Sequence, residues 1–315
     1  MSVLTITAPI FALIALGYLV VSMGWVTREA NRGMGAFVIY CALPALIFRA
    51  LSGQSIEKVL NFHYLAGFGI GSLAALLLGF GIAYSVRQKP LDSAAFQGLG
   101  GSMANSGFIG YAIVIQLFGA IAVIGVALSM LIDLLLLVPI TIGLAELAQH
   151  QSASARHAVS QAFKRTITNP LVIAIAAGLI ASLFNWQLTG PAKKVLDILA
   201  DSAAAVSLFV IGGTLVGQTL RGQLKDIAQM TSVKLIGQPV AVAFAIWLLP
   251  PFDPTFQATA IILAAMPMAG VLPLIAQRYN QQAICATALV SATLFSFVTI
   301  NILLWILQLS GLLAI

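Results

Sequence analysis

Long apolar runs, separated by short polar segments, fill nearly the whole sequence of 315 residues. A helix needs about 20 apolar residues to cross the hydrocarbon core of a bilayer, and most of these runs reach that length. Hydrophobic residues make up 60% of the chain and charged residues only 8%, which excludes a water-soluble fold with a charged surface. The sequence therefore predicts an all-α polytopic membrane protein in contact with the lipid bilayer.

Ten of the runs are candidate transmembrane helices. They cover roughly residues 3–23, 33–52, 62–85, 93–118, 120–147, 168–184, 195–218, 230–249, 255–277 and 283–311. The first run has no Lys or Arg ahead of it, so it is predicted to be a first span and not a cleaved signal peptide.

The basic residues predict the orientation of these spans. Ten spans place both termini on one side, and cytoplasmic loops carry the excess of Lys and Arg. If the termini lie outside, the inner loops contain ten basic residues: Arg28, Arg32, Arg87, Lys89, Arg156, Lys164, Arg165, Arg221, Lys225 and Arg278. The outer loops contain three: Lys58, Lys193 and Lys194. We therefore expect a multi-pass protein of the cell (inner) membrane with both termini outside, and Lys234 at an inner span end, snorkelling towards water.

The two halves of the chain correspond to each other. A polar linker, residues 149–167, separates residues 1–148 from residues 168–315, and each half contains five predicted spans. Three residues recur at an offset of 161: Thr7, Pro9 and Gly17 match Thr168, Pro170 and Gly178. An odd number of spans inverts the second half relative to the first. This pattern is typical of secondary transporters built from two inverted five-helix repeats within one membrane domain.

The fourth span of each half is interrupted by residues that disfavour a continuous helix. Residues 105–110 read Asn-Ser-Gly-Phe-Ile-Gly, and residues 266–273 contain two prolines, which remove backbone donors. Backbone opened within a membrane is tolerated only where protein or a water-filled cavity satisfies it. The fourth and ninth helices are therefore predicted to be broken and to cross at a cavity.

The ends of broken helices suit a small carboxylate, because unpaired N–H groups at a helix N-terminus carry partial positive charge. The candidate substrate-binding residues are Asn105, Ser106, Gly107, Gly110, Met266, Pro267 and Gly270. The alternative is that Asn105 and Ser106 only form hydrogen bonds with neighbouring helices. A passive anion channel, or a carrier of another small metabolite such as an amino acid, could use the same cavity.

Asp133 is the one acidic residue deep in a predicted span, and such carboxylates are energetically costly and usually functional. Ser129 lies four residues earlier on the same helix face. The pair could bind sodium or exchange a proton, or Asp133 could neutralise the positive ends of the broken helices. No other cofactor or metal is predicted. A membrane enzyme is disfavoured, because no deep His, Lys or second acid accompanies Asp133. A nucleic-acid partner is disfavoured because the basic residues are dispersed among short loops.

Four motifs resemble those of the auxin efflux carrier family, in particular its bacterial branch of malonate-transporter-like proteins. They are residues 42–48 (Ala-Leu-Pro-Ala-Leu-Ile-Phe), 104–110, 207–213 (Ser-Leu-Phe-Val-Ile-Gly-Gly) and 264–279. The resemblance implies the ten-helix fold shared with bile acid/sodium symporters and sodium/proton antiporters, elevator-type transport of small organic anions, and a homodimer. One departure is Tyr111-Ala112, where family members commonly have a proline soon after the first crossover glycine.

Overall fold

The computed structural model describes residues 3–54, 61–148, 164, 167–186, 188–217 and 224–313. Over these ranges the chain is helical apart from short connections and an isolated antiparallel bridge between Ala104 and Met268. Six of the helices described are long and apolar enough to cross a membrane. The predicted all-α membrane class is confirmed. Most of the predicted linker, residues 149–163, 165 and 166, lies outside the described residues.

Six helices are described in the first half of the chain. They are α1 (Val3–Ser22), α2 (Arg28–Ser52), α3 (Phe62–Val86), α4 (Leu91–Gly100), α5 (residues 106–118) and α6 (residues 122–148). Gly119 separates α5 from α6, because its φ of 69° belongs to the left-handed region that favours glycine and ends helices. Joined into one helix, residues 106–148 would be about 64 Å long, twice the thickness of the hydrocarbon core.

Six helices are described in the second half as well. They are α7 (Pro170–Leu183), α8 (Gly190–Leu215), α9 (Leu224–Trp247), α10 (Pro254–Ala264), α11 (Leu272–Gln277) and α12 (Gln282–Leu309). The starts of α7 and α10 are encoded locally. Asn169 and Asp253 each accept a hydrogen bond from the N–H two residues later, and the proline that follows each of them fits the first helical turn.

The helices pack as two groups. In one group, α1 packs along α8, α7 packs along α2, and α2 contacts α8. In the other, α3 packs along α9, and both contact the interrupted helices α4 and α10, with α6 and α12 completing the group. The main apolar core joins the two groups around residues of α2, α5 and α6. The interrupted helices therefore lie inside the protein.

Two glycines allow α1 and α8 to approach within backbone contact. A Cβ atom at Gly212 of α8 would collide with the carbonyl oxygen of Ile14, and one at Gly17 of α1 would collide with that of Phe209. Small residues at helix interfaces in membranes permit such close packing. The glycines on both helices thus set the distance between α1 and α8.

We expect Gly212→Ala to lower the thermal unfolding temperature in detergent by several degrees, because overpacking costs about 1–3 kcal/mol. The matched control is Gly33→Ala. Gly33 also lies within a helix, but a Cβ there would meet nothing within 4 Å. Alanine at that position should be neutral or stabilising by up to about 1 kcal/mol. Equal unfolding temperatures for the two variants would contradict the tight α1–α8 packing.

Candidate functional site

Both predicted helix interruptions are present. In the first half α4 ends at Gly100, and α5 begins at Ser106. In the second half α10 ends at Ala264, and α11 begins at Leu272. We call the non-helical residues 101–105 crossover 1 and residues 265–271 crossover 2.

The two crossovers satisfy each other's backbone groups. The N–H of Asn105 donates to the carbonyl oxygen of Pro267 at 2.8 Å, and the N–H of Ala269 donates to that of Met103 at 3.1 Å. These bonds flank the antiparallel bridge between Ala104 and Met268. Backbone groups freed from helices in a membrane need such partners. The crossovers are therefore joined directly to each other.

Asn105 and Ser106 are buried at this junction, with only 2% and 1% of their surface exposed. The amide nitrogen Nδ2 of Asn105 and the hydroxyl of Ser106 have no hydrogen-bond partner among the described residues. Neither atom is therefore paired with a described residue of a neighbouring helix. A buried polar group without a partner calls for an explanation, and a ligand or water is the usual one.

The predicted glycines differ in what surrounds them. Gly107 lies against Met130 and Leu43, so it brings crossover 1 close to α6 and α2. A Cβ at Gly110 would meet Leu263 and Met266, so Gly110 allows the two broken helices to pack closely.

Crossover 2 is buried except at its end, where Gly270 and Val271 are exposed. Met266 and Pro267 are buried, whereas Gly270 is exposed. A Cβ atom added at Gly270 would meet only Ile211 of α8, at 3.7 Å. The structure thus brings Asn105, Ser106, Met266 and Pro267 together, with Gly270 at the edge facing α8.

Asp133 lies at crossover 1. Its carboxylate is buried in α6 and interacts electrostatically with the backbone N–H of Ala104. The carboxylate oxygen Oδ1 has no hydrogen-bond partner among the described residues. An acidic side chain thus faces an N–H group of the opened backbone.

Ser129 bonds to Tyr64 and not to Asp133. Its hydroxyl oxygen lies 2.7 Å from the hydroxyl of Tyr64, which also donates to the carbonyl oxygen of Gly125 at 3.0 Å. Thr259 of α10 lies beside this group, and its hydroxyl has no partner among the described residues. A buried polar cluster therefore connects α3, α6 and α10 next to crossover 1.

Lys234 is the functional candidate that sequence reasoning missed. Its side chain is completely buried in α9, and its Nζ donates to the carbonyl oxygen of Ala264 at 2.7 Å. Ala264 is the last residue of α10, where the helix dipole is negative. Lys234 also interacts electrostatically with Asp133. The two buried charges therefore attract each other, and each contacts the backbone of a different broken helix.

The expected position of Lys234 at a span end is wrong. Helix α9 begins at Leu224, six residues before the predicted span, so Lys234 lies in its middle. At the polar start of α9, the side chain of Asp226 is buried. It pairs with Arg87 at 2.5 Å and with Lys89 at 2.8 Å. The signal that could have identified Lys234 is a single lysine followed by a long apolar run, since a charge within a span is functional by default.

Two other charged residues have partners within the protein. Glu146 is buried and accepts a hydrogen bond from Tyr279 at 2.7 Å. Arg49 lies at the end of α2. It pairs with Asp197 and Asp201 of α8 at 3.3 and 2.9 Å.

Comparison with known proteins gives matches over nearly the whole chain. Residues 2–305 match the family described as membrane transport protein. A protein of Rhizobium meliloti named "Putative malonate transporter" is 28% identical over 95% of this chain and 94% of its own length. An uncharacterized transporter of Methanothermobacter thermautotrophicus is 27% identical over 85% of each chain. The lysosomal cholesterol signaling protein of Mus musculus is 23% identical over 94% of this chain but only 36% of its own length.

Proposed function

Because the chain belongs to the membrane transport protein family, we propose that it is a secondary active transporter of a small organic anion. The family match confirms the resemblance to the auxin efflux carriers, and the protein is a multi-pass membrane protein. The proposal places it in the inner membrane, with both termini outside, as a homodimer that works by elevator-type alternating access.

The observation that carries this proposal is the pair of unpartnered polar groups where the crossovers meet. Asn105 stands at the N-cap position of α5, where an Asn side chain normally accepts a hydrogen bond from the first turn. Here the side chain makes no capping bond, and its Nδ2 has no partner among the described residues. The amide, the Ser106 hydroxyl and the positive end of α5 are therefore available to a carboxylate.

A dicarboxylate such as malonate is the first substrate to test. The relative from Rhizobium meliloti carries malonate in its name. In our proposal one carboxylate binds Asn105 and Ser106, while Gly107 and Gly110 hold the crossovers close. Met266, Pro267 and Gly270 form the opposite wall, since the backbones of the two crossovers are hydrogen-bonded to each other.

The packing supports ten spans in two inverted repeats. If α1 to α6 correspond in order to α7 to α12, then the contact of α1 with α8 has the contact of α7 with α2 as its counterpart. Exchanging the two halves turns the contact of α3 with α9 into itself. The contact of α5 with α6 corresponds to the contact of α11 with α12. Such reciprocity is expected from a pseudo-two-fold axis in the membrane plane. In this scheme α1, α2, α7 and α8 form the scaffold.

Asp133 and Lys234 complete the proposed site as charge compensation for the broken helices. The Asp133 carboxylate interacts with the backbone N–H of Ala104, and Lys234 donates a hydrogen bond to the last carbonyl of α10. Each charge has the sign that its backbone partner favours. A coupling role of Asp133 with Ser129 is the alternative, and the hydrogen bond of Ser129 to Tyr64 favours compensation.

Counterflow in liposomes tests the function. We expect reconstituted protein to drive transient accumulation of labelled malonate in vesicles loaded with unlabelled malonate, and its initial rate to saturate with concentration. Alternating access produces this exchange, whereas a passive channel produces non-saturating flux and single-channel currents. Empty liposomes and other carboxylates and amino acids, with and without sodium, are the controls. Absence of counterflow with every carboxylate would refute the proposal.

A further inference from the structure

A small cavity of about 120 Å³ lies between the end of α2 and the start of α8. Its polar lining consists of Arg49, Ser52, Lys193 and Asp197, and the remaining wall includes Gly53 and two leucines. The volume is sufficient for a small anion with little accompanying water, since one water occupies about 30 Å³ in the liquid.

Oppositely charged side chains meet at the cavity. Arg49 and Lys193 supply two cations against the single carboxylate of Asp197, which bridges them at 3.3 and 2.7 Å. The second partner of Arg49, Asp201, approaches from outside the cavity wall at 2.9 Å. Counting Asp201, two carboxylates balance the two cations, so what the cavity offers to an anion is the part of the Arg49 guanidinium that these carboxylates leave open, and not a net positive charge.

Arg49 has an unused edge. Its hydrogen bonds to described residues all come from Nη1, which donates to the backbone carbonyl oxygen and Oδ1 of Asp197 and to Oδ1 of Asp201. The Nε and Nη2 groups thus have no partner among the described residues, and the side chain is 32% exposed. A guanidinium edge with two parallel N–H groups matches a carboxylate in bidentate geometry.

The charges around the cavity reach deep into the spans. Asp201 lies about 16 Å along α8 from Gly190, yet its side chain is 71% exposed. Charged residues within spans face protein or a water-filled space. Both Arg49 and Asp201 also act electrostatically on the hydroxyl of Tyr111, in the turn that follows Gly110. The charges at the cavity therefore act electrostatically as far as the first turns of α5, next to crossover 1.

We propose that this cavity is an anion-recruiting site, in which Arg49 receives a small carboxylate through its Nε and Nη2 edge before the anion reaches Asn105. The identity of the anion rests on the proposed function, but the binding of small anions at Arg49 does not. The site lies on the group formed by α1, α2, α7 and α8, separate from the crossover residues.

Charge-selective labelling tests the cavity independently of transport. The native cysteines Cys41 and Cys285 are first replaced by Ser and Ala, and Ser52→Cys places a thiol in the lining. The rates of modification by sulfonatoethyl and trimethylammonioethyl methanethiosulfonate are then compared. We expect Arg49→Gln to lower the anionic-to-cationic rate ratio about thirtyfold, since one charge a few ångströms away contributes about 1 kcal/mol for each reagent, with opposite signs for the two. Malonate should slow modification only when Arg49 is present.

Matched variants separate a local effect from a global one. Lys194→Gln removes the same charge from an exposed position of α8 outside the lining, so the ratio should stay nearly constant. Arg49→Lys should keep most of the preference, and Asp201→Asn should increase it. An unchanged ratio in Arg49→Gln, or an equal loss in Lys194→Gln, would overturn the inference. Saturable malonate uptake together with an unchanged rate ratio would support the proposed function but not the recruiting site. The expected fall in the rate ratio without any carboxylate uptake would support anion binding at Arg49 but not the proposed function.

Discussion

Lys234→Met is expected to destabilise the protein more than any other single substitution considered for this chain. Methionine has a similar length, but it leaves the Asp133 carboxylate buried without its cation and the carbonyl oxygen of Ala264 without its donor. Removing one partner of a buried charge pair costs about 3–5 kcal/mol. We therefore expect a large loss of folded protein, measured by thermal unfolding in detergent and by size-exclusion chromatography.

The double variant Lys234→Met/Asp133→Asn provides the sharper test. Because it leaves neither charge uncompensated, it should recover a substantial part of the stability lost in the single variant, which gives a coupling energy for the pair. Lys225→Met is the matched control, since Lys225 is exposed on the same helix and should be replaceable at little cost. Additive losses in the double variant would contradict the coupling. If the double variant still transports, loss of its dependence on pH or sodium would favour a coupling role for Asp133 over compensation.

Asn105→Ala is expected to weaken transport strongly while leaving the fold intact. A hydrogen bond to a charged group contributes about 1.5–3 kcal/mol, so losing the amide should weaken carboxylate uptake about 10-fold to 150-fold. Stability should change little, because Nδ2 of Asn105 donates to no described residue and leaves no orphaned partner behind. The measurements are initial rates of labelled malonate uptake in liposomes and the unfolding temperature of the same preparations.

A second buried polar residue provides the control for Asn105. Thr141 is also buried, but its hydroxyl is satisfied by the carbonyl oxygen of Leu137 within α6. The Thr141→Ala variant should therefore retain malonate uptake, and malonate should still raise the unfolding temperature of this variant. Asn105→Ala should lose that ligand-induced shift. Full malonate uptake by the Asn105→Ala variant would show that Asn105 does not bind the substrate.

The helix interruptions were predictable because their cause is local. Asn-Ser-Gly at residues 105–107 and the prolines at 267 and 273 disfavour a continuous helix whatever surrounds them. The same reasoning placed Asp133 within a span, since its neighbours are apolar. Composition and local chemistry were sufficient for the class of fold and for the place of the crossovers.

The hydrogen-bond partners were not predictable, because they come from distant parts of the chain. Helical spacing placed Ser129 on the face of Asp133, but Tyr64 of α3 takes its hydroxyl. The polar start of α9 resembled a loop in the sequence, because Asp226 is buried only through Arg87 and Lys89 at the end of α3. The depth assigned to Lys234 was wrong for this reason.

The bridge between Ala104 and Met268 also has a consequence for biogenesis. Its two residues are separated by 164 positions in the chain, so crossover 1 is synthesised well before its backbone partner. At about 5–20 residues per second the interval is roughly 8 to 33 s. During that time the N–H of Asn105 and the carbonyl oxygen of Met103 lack the bonds that they form in the finished protein. Backbone amide groups without hydrogen-bond partners are energetically costly in lipid. The newly synthesised first half should therefore remain where water or an insertase covers crossover 1 until the second half has been inserted.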